Sequence, residues 1–295
     1  MPGRDGTLLL INPAARRGES DISDITAQLE SLGRVLSPPA GDVAGTRAAI
    51  AEYGPGVARV VIGGGDGSVS AVLPALLAAD RPLGVLPLGT ANDFARSLGI
   101  RDPAHALEVV VQGLSRRVDV GLVNGRPFLN AVGIGLGPRI NADLAREAKA
   151  RFGVLSYLLS FLRHARAERS VRAEIVCDGR SSRVRTLQIT VGNGIHYGGG
   201  MTVAEDASLE DGLLDVVSIH PQRAWQILLQ GGALRRGKVE DAPRVDVFRG
   251  ERVEVRTHRP LDVTADGERV TQTPIECRIM RAALTVYVPA PEKSQ

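Results

Sequence analysis

Unbroken apolar runs alternate with helix-spaced apolar positions through the first third of the chain. Thr7 to Ile11 reads as a short buried strand, after which Ile22, Ile25, Leu29 and Leu32 recur at helical spacing, with Asp21 placed to cap and Gly33 to stop. Val57 to Ile62 is a β-branched strand that runs into glycines, and the Ala-rich stretch Val69 to Ala79 reads as the next helix, bent at Pro74. Gly84 to Leu86 is a further strand. Asp102-Pro103 then opens a helix by cap and first-turn proline; Leu107, Val110 and Val111 face inward and Gly113 ends it. Strand, helix, strand, helix in this order implies parallel crossovers.

After about Arg117 the rhythm changes to strands joined by turns. Arg117 to Val123 and Phe128 to Gly133 flank Asn124-Gly125, and Val171 to Cys177 and Val184 to Val191 flank Asp178-Gly179, both hairpin signals. Leu213 to Ile219, Arg252 to Arg256, Leu261 to Ala265, Ile275 to Met280 and Leu284 to Val288 are further strand-like runs. Two helices interrupt them, Val154 to Glu168 and Pro221 to Arg236. This half is expected to be mostly antiparallel sheet.

Composition narrows the function classes. With 295 residues, 43% hydrophobic and 23% charged, the chain has the balance of a soluble globular protein and room for two domains. Disorder and collagen-like repeats are excluded. Apolar runs such as Val154 to Leu162 fall short of the roughly 20 residues of a membrane span, so a cytoplasmic location is expected. Cys177 and Cys277 form no C-x-x-C pair and give no zinc signature. All but three of the 36 basic residues are arginine, and the net charge is +3. Such a surface can approach anionic lipid or phosphate. Nucleic acid is disfavoured, because aromatics are only 3% and no binding module is present.

Two segments carry candidate chemistry. Gly63-Gly64-Gly65-Asp66-Gly67-Ser68 follows the strongest strand and precedes a helix, so its backbone can come close to an anion and aim amide N–H groups at it. It is neither a Walker A loop nor G-x-G-x-x-G. Asp66 reads either as a turn residue or as a carboxylate aimed at a phosphate-bound magnesium. Pro87 to Phe94 joins the next strand to a short helix ending at Gly99; Thr90 and Asn92 are available to cap that helix. Two such loops on adjacent strands line one crevice at the carboxyl edge of a parallel sheet and suggest a nucleotide. Taken alone, Asp211-Gly212 and Asp266-Gly267-Glu268 read as turns that expose ordinary acids.

Taken together, G-G-D-G-[ST] at Gly64 to Ser68, P-x-G-T-x-N-D-F at Pro87 to Phe94 and Asn12-Pro13 resemble the diacylglycerol kinase catalytic-domain family. This family includes bacterial YegS-like lipid kinases and the sphingosine and ceramide kinases. The likeness continues through Gly194 to Gly200, Ala207 to Asp215 and Asp266 to Glu268, in family order. The resemblance implies an α/β plus β fold. A Rossmann-like α/β nucleotide domain at 1–120, which 284–295 can rejoin, precedes a larger, mostly antiparallel β-sandwich domain at 121–283. The first domain binds ATP through Asn12, Gly64, Gly65, Asp66, Gly67, Ser68, Gly89 and Thr90. The second supplies a magnesium site, with the Asp211 carboxylate and the Ser208 and Leu213 carbonyls, a lipid-binding cleft, and Glu268 as general base beside Asp266. The implied activity is transfer of the ATP γ-phosphoryl group to a lipid hydroxyl, diacylglycerol or a similar lipid, by a cytoplasmic protein that docks transiently on the inner face of a membrane. A soluble-acceptor kinase of NAD kinase type and a non-catalytic nucleotide- or lipid-binding relative are the alternatives. The acceptor and the oligomeric state are left open.

The chain departs from the family pattern at Ser68, where Thr is usual, and at Ser70-Ala71, where Asn-Glu is common, so a polar contact near nucleotide or metal is expected to be missing. Gly200 to Ala207 lacks an expected proline. The broad apolar side of the Val154 helix suits packing on the second domain or a lipid-facing wall with Arg163, Arg166, Arg169 and Arg172 at headgroups. His196 and Tyr197, beside the glycine run, read as a capped loop in preference to a contact with acceptor or headgroup, the other histidines form no metal pattern, and Trp225 reads as core.

Overall fold

The computed structural model describes residues 6–12, 20–39, 41–135, 170–194, 196–197, 201–202, 207–221 and 244–291. The chain divides into two compact units, Met1–Val118 with Ala282–Gln295, and Asp119–Arg281.

In the first unit, β1 (Gly6–Ile11), α1 (Ser20–Glu30), β2 (Arg34–Leu36), α2 (Val43–Tyr53), β3 (Arg59–Gly64), α3 (Asp66–Ala79), β4 (Leu83–Pro87), α4 (Asp93–Ser97) and α5 (Pro103–Gln112) follow one another. The sheet order is β2-β1-β3-β4, every pair parallel. Its central strands are buried along their length, as expected of strands covered on both faces, which explains why they read as apolar runs without alternation. Cap chemistry sets the helix ends. Asp42 Oδ1 accepts from Gly45 N at the start of α2 and Asp102 Oδ1 from His105 N at the start of α5, and Gly113 ends α5 at φ 74°. The helix expected to begin beyond Asp21 already starts at Ser20, which puts Asp21 in its first turn. Likewise α3 begins at Asp66, three residues before the expected start, and continues past the exposed Pro74.

The second unit is a two-sheet β structure. The chain enters it within β5 (Ser115–Val123) and adds β6 (Arg126–Phe128), β7 (Ala131–Gly135), β8 (Val171–Cys177), β9 (Arg180–Thr186), β10 (Gln188–Gly192), the short β11 (His196–Tyr197) and β12 (Met201–Thr202), and β13 (Leu214–Ile219). There follow β14 (Val245–Gly250), β15 (Arg252–Thr257), β16 (Asp262–Ala265), β17 (Glu268–Gln272) and β18 (Ile275–Tyr287), within which the chain returns to the first unit. One antiparallel sheet runs β18-β15-β8-β9 and the other β14-β13-β10-β7-β16-β17. Their facing side chains, Ile175, Val253 and Cys277 from one and Val132, Val191, Val216 and Val263 from the other, form a single core.

Four strand readings change. Phe128 to Gly133 is two strands, broken at Leu129-Asn130 where the chain leaves one sheet for the other, and Val184 to Val191 breaks the same way at Leu187, whose N–H is taken by Ile219 O. A strand-like stretch of sequence does not record a change of sheet. Conversely, Ile275 to Met280 and Leu284 to Val288 are one strand of 13 residues with Ala282 at φ 47°. The three-residue β2, the largely polar β17 and the helix α2 carry too little apolar periodicity to stand out, and β14 adds a strand at Val245–Gly250 that the sequence reading does not include. The expected helices at Val154 to Glu168 and Pro221 to Arg236, with Trp225, lie outside the described residues, as do Pro13 and most of the Gly194 to Gly200 and Gly200 to Ala207 blocks.

Candidate active site

Three groups of residues gather from the positions singled out in the sequence. The first lies at the carboxyl edge of the parallel sheet. The β3–α3 and β4–α4 loops are locked together: a Cβ on Gly89 would meet Gly65 Cα at 2.5 Å and Asn92 Oδ1 at 2.8 Å, and one on Gly65 would meet Gly89 Cα at 3.1 Å. These glycines let two backbones touch. Gly64 is equally constrained, since its Cβ would lie 2.4 Å from Ser68 Oγ. Asn92, left-handed at φ 53°, clamps Gly89 through both ends of its amide, Oδ1 accepting from Gly89 N at 3.0 Å and Nδ2 donating to Gly89 O at 2.9 Å. It occupies the cap position of α4, but its side chain does not cap.

That task falls to Asp66 on the other loop. Its Oδ2 accepts from Asp93 N at 3.0 Å and its Oδ1 from Phe94 N at 2.9 Å, so a carboxylate from the first turn of α3 caps α4. Asn12 completes the group: its N–H donates to Gly63 O and its Nδ2 to Ser68 Oγ at 2.8 Å. Asn12, Gly64, Gly65, Asp66, Ser68 and Gly89 are thus held as one body, while Thr90 is exposed and a Cβ on Gly67 would meet nothing within 4 Å. The open side of this body is the N-terminal turn of a 14-residue helix, where backbone N–H groups and the helix dipole favour an anion. Ala71 is buried on α3 and its carbonyl accepts the Arg47 guanidinium from α2, so this departure from the family pattern sits at a packing contact between helices.

The second group is the loop before β13. Asp211 Oδ1 accepts from Leu213 N at 2.9 Å, Arg249 Nη2 lies 3.3 Å from Asp211 Oδ2, and Ser208 Oγ accepts from Glu210 N at 3.1 Å. Arg249 Nε also pairs with the buried Asp215 at 2.9 Å. One carboxylate with the carbonyls of Ser208 and Leu213 is a hard, all-oxygen donor set of the kind magnesium takes, and an ion there would share Asp211 with Arg249. Among the described residues no cluster of three or more His, Cys, Asp or Glu could hold a metal.

The third group is the β16–β17 hairpin, whose two turn residues Asp266 and Gly267 both have positive φ. The sequence left Asp266 as a turn acid or a cleft acid. Its carboxylate is turned inward, with Oδ2 accepting from Leu129 N at 2.8 Å and Oδ1 from Asn130 N at 2.8 Å and Ala131 N at 3.2 Å. It holds the break between β6 and β7. Glu268, on the strand side of the turn, is exposed, and its carboxylate makes no hydrogen bond or ion pair among the described residues.

Two residues that sequence reasoning passed over connect these last groups. Asp119 donates its N–H to Leu209 O at 2.7 Å and accepts from Gly212 N at 2.7 Å, fixing the Asp211 loop. Asn193, 1% exposed, donates Nδ2 to Asp119 O and to Leu129 O, each at 3.0 Å, and its N–H to Asn130 O. A chain of bonds therefore runs from the Asp211 loop through Asp119 and Asn193 to the strand break that Asp266 holds. Neither residue has a local sequence signal.

Residues 6–123 match the diacylglycerol kinase catalytic domain, and residues 130–288 match the YegS C-terminal NAD kinase beta sandwich-like domain. The chain belongs to the diacylglycerol kinase catalytic-domain family. A Pseudomonas aeruginosa (strain UCBPP-PA14) protein named "Probable lipid kinase YegS-like" is 33% identical over 288 residues, covering 96% of this chain and 94% of that one. A Bacillus subtilis (strain 168) protein named "Diacylglycerol kinase" is 28% identical, with 97% of each covered. A solved structure from Bacillus anthracis str. Sterne shares the fold, with a TM-score of 0.80 at 24% identity over 97% of both chains. The expected fold class, α/β followed by β-sandwich, is borne out, and the chain is a member of a kinase family. No helix among the described residues is long and apolar enough to cross a membrane.

Proposed function

We propose that this protein is an ATP-dependent lipid kinase, transferring the γ-phosphoryl group of ATP to a lipid hydroxyl of diacylglycerol type. The observation that carries the reading is the pair of interlocked glycine loops, which leaves Gly67, Thr90 and the first turn of α3 open beside a rigid body of backbone. Phosphoryl transfer asks the protein mainly to hold phosphates, neutralise charge and orient the acceptor. The loops supply the first requirement through amide N–H groups, with Asn12, Gly64, Gly65, Asp66, Gly67, Ser68, Gly89 and Thr90 as the binding set. Magnesium, bound with the nucleotide, would supply the second by neutralising phosphate charge; Asp211 with the carbonyls of Ser208 and Leu213 would hold an ion whose role is either catalytic or structural. For the third, Glu268 takes the acceptor hydroxyl proton, an exposed carboxylate that is not committed to a structural bond. Asp266 positions that hairpin and does not itself accept the proton, because its oxygens already receive three N–H donors.

The names of the relatives support a lipid acceptor in preference to a soluble one. Such a protein works peripherally at a membrane surface from the cytoplasm. The test is label transfer from γ-labelled ATP with magnesium to a total lipid extract in mixed micelles, with NAD and fructose 6-phosphate as parallel acceptors. One labelled lipid is expected. Label confined to a soluble product would replace the lipid reading with a soluble-acceptor kinase, and ATP binding without any transfer would replace it with a non-catalytic relative.

A further inference from the structure

We propose that the outer face of β8, β9 and β15 is a docking surface for an anionic lipid bilayer, read through the phosphate oxygens of its headgroups. Register and alternation build this face. Ala173 and Ile175 of β8 point into the core, which sends Arg172 and Glu174 outward, and the pairings Arg172↔Arg185, Glu174↔Arg183 and Glu174↔Arg256 align them with outward residues of both neighbours. A trough of about 490 Å³ lies over these strands, lined by Arg172, Arg183, Arg185, Arg256 and His258 with Glu174 as its one acid.

The positive charge is only partly cancelled locally. Glu174 is already engaged, receiving the Ser181 hydroxyl at 2.8 Å and facing Arg256 at 3.8 Å, while Arg256 pairs more closely with Glu254 at 2.8 Å. Arg185 Nε donates to the neutral Ser170 hydroxyl. Arg172 and Arg183, both exposed, have no ion pair or side-chain hydrogen bond among the described residues. Since β9 ends its sheet, arginines on it also discourage edge-to-edge pairing, but that does not call for Arg172 on the inner strand β8 or for a shared trough. Three strands span about 10 Å, wider than one phosphate, and guanidinium forks match phosphate oxygens. An open positive face of that width fits a headgroup layer better than a single ion.

The inference rests on the lipid-kinase reading only in that such an enzyme must reach a bilayer, and its test contains no ATP and no turnover, so either can fail without the other. Binding of the whole chain to phosphatidylcholine vesicles, with and without phosphatidylglycerol, is measured by co-sedimentation at low salt. The parent is expected to bind only the phosphatidylglycerol vesicles. The double variant Arg172→Gln/Arg183→Gln is expected to bind about 25-fold more weakly, roughly fivefold for each arginine. Arg172→Lys/Arg183→Lys, which keeps the charge, should bind within a few-fold of the parent, and unchanged unfolding midpoints would show that these exposed positions do not act through folding. Binding of the glutamine variant at the parent's strength, or a parent that ignores phosphatidylglycerol, overturns the proposal. Displacement by inorganic phosphate well beyond that by chloride of equal ionic strength also overturns it, in favour of a single-anion site.

Discussion

Removing the Asp266 carboxylate should cost far more stability than an ordinary turn substitution. In Asp266→Ala the N–H groups of Leu129, Asn130 and Ala131 lose their acceptors, and Leu129 and Asn130 are 1% and 7% exposed, so water replaces the carboxylate poorly. Bonds to a charged acceptor contribute about 1.5–3 kcal/mol each, and a buried donor left unmet costs about 1–3 kcal/mol. Alanine adds roughly 1 kcal/mol for holding φ 47°, which Asp and Asn tolerate better. With partial relaxation at Ala131, a loss of about 3–5 kcal/mol is expected. Asp266→Asn keeps one oxygen and the turn conformation and should lose about 1–2 kcal/mol. Urea unfolding of the three proteins measures both values, and slopes that agree between them would show that the same cooperative unit is unfolding. Loss of less than about 0.5 kcal/mol in Asp266→Ala would refute the argument, because bonds of that burial and geometry cannot then be holding the β6–β7 break.

Further outcomes follow from the same geometry. Gly89→Ala should weaken ATP binding at least tenfold in calorimetry while the protein remains folded, because a Cβ 2.5 Å from Gly65 Cα parts the two loops; ATP affinity equal to the parent's would remove the loops from the binding site. Asn193→Ala deletes both bonds from its amide and is expected to cost about 2–3 kcal/mol in thermal or urea unfolding, with magnesium-dependent changes in intrinsic fluorescence weakened as the Asp211 loop loosens; an unaltered midpoint would mean that the link carries no load. Burial pushes the Cys277 thiol from 9.0 up to about 12. Its contribution to stability is complete below pH 9 and is lost between pH 9 and 12, where only the unfolded thiol ionises, at about 1.4 kcal/mol per pH unit. The alkaline slope of unfolding free energy should therefore be shallower by that amount in Cys277→Ala than in the parent; superimposable slopes would contradict it.

The broad architecture was legible because buried parallel strands and hairpin turns leave different traces. β1, β3 and β4 are apolar without alternation, while Asn124-Gly125 and Asp178-Gly179 mark tight turns, and both turns are present with positive φ at each residue. The sheet changes at Leu129-Asn130 and Leu187 were not legible. The cause of the first is a carboxylate about 137 positions away, and no local pattern records it. The glycine loops were legible as a place but not as a mechanism. Sequence spacing suggested glycines cleared for a ligand, whereas Gly65 and Gly89 are cleared for each other, a contact between positions on different strands. In the sequence Asp66 reads as a turn residue or a metal carboxylate, and capping α4 from another loop is a role that only the fold can display. Asp119 and Asn193 illustrate the same limit: one polar residue in a strand and one after a strand carry no signature until their partners are in place.

The central claim is tested most directly by Glu268→Gln in the lipid transfer assay, with ATP affinity measured on the same preparation. Glu268 is exposed and holds nothing in place among the described residues, so the variant should fold and bind ATP as the parent does. Parent protein that labels a lipid, beside a variant with unchanged ATP affinity and at least a hundredfold slower transfer, is the predicted result. Transfer by the variant at the parent's rate would contradict the assignment of the proton acceptor, and a parent that binds ATP yet labels no lipid would contradict the account of the function.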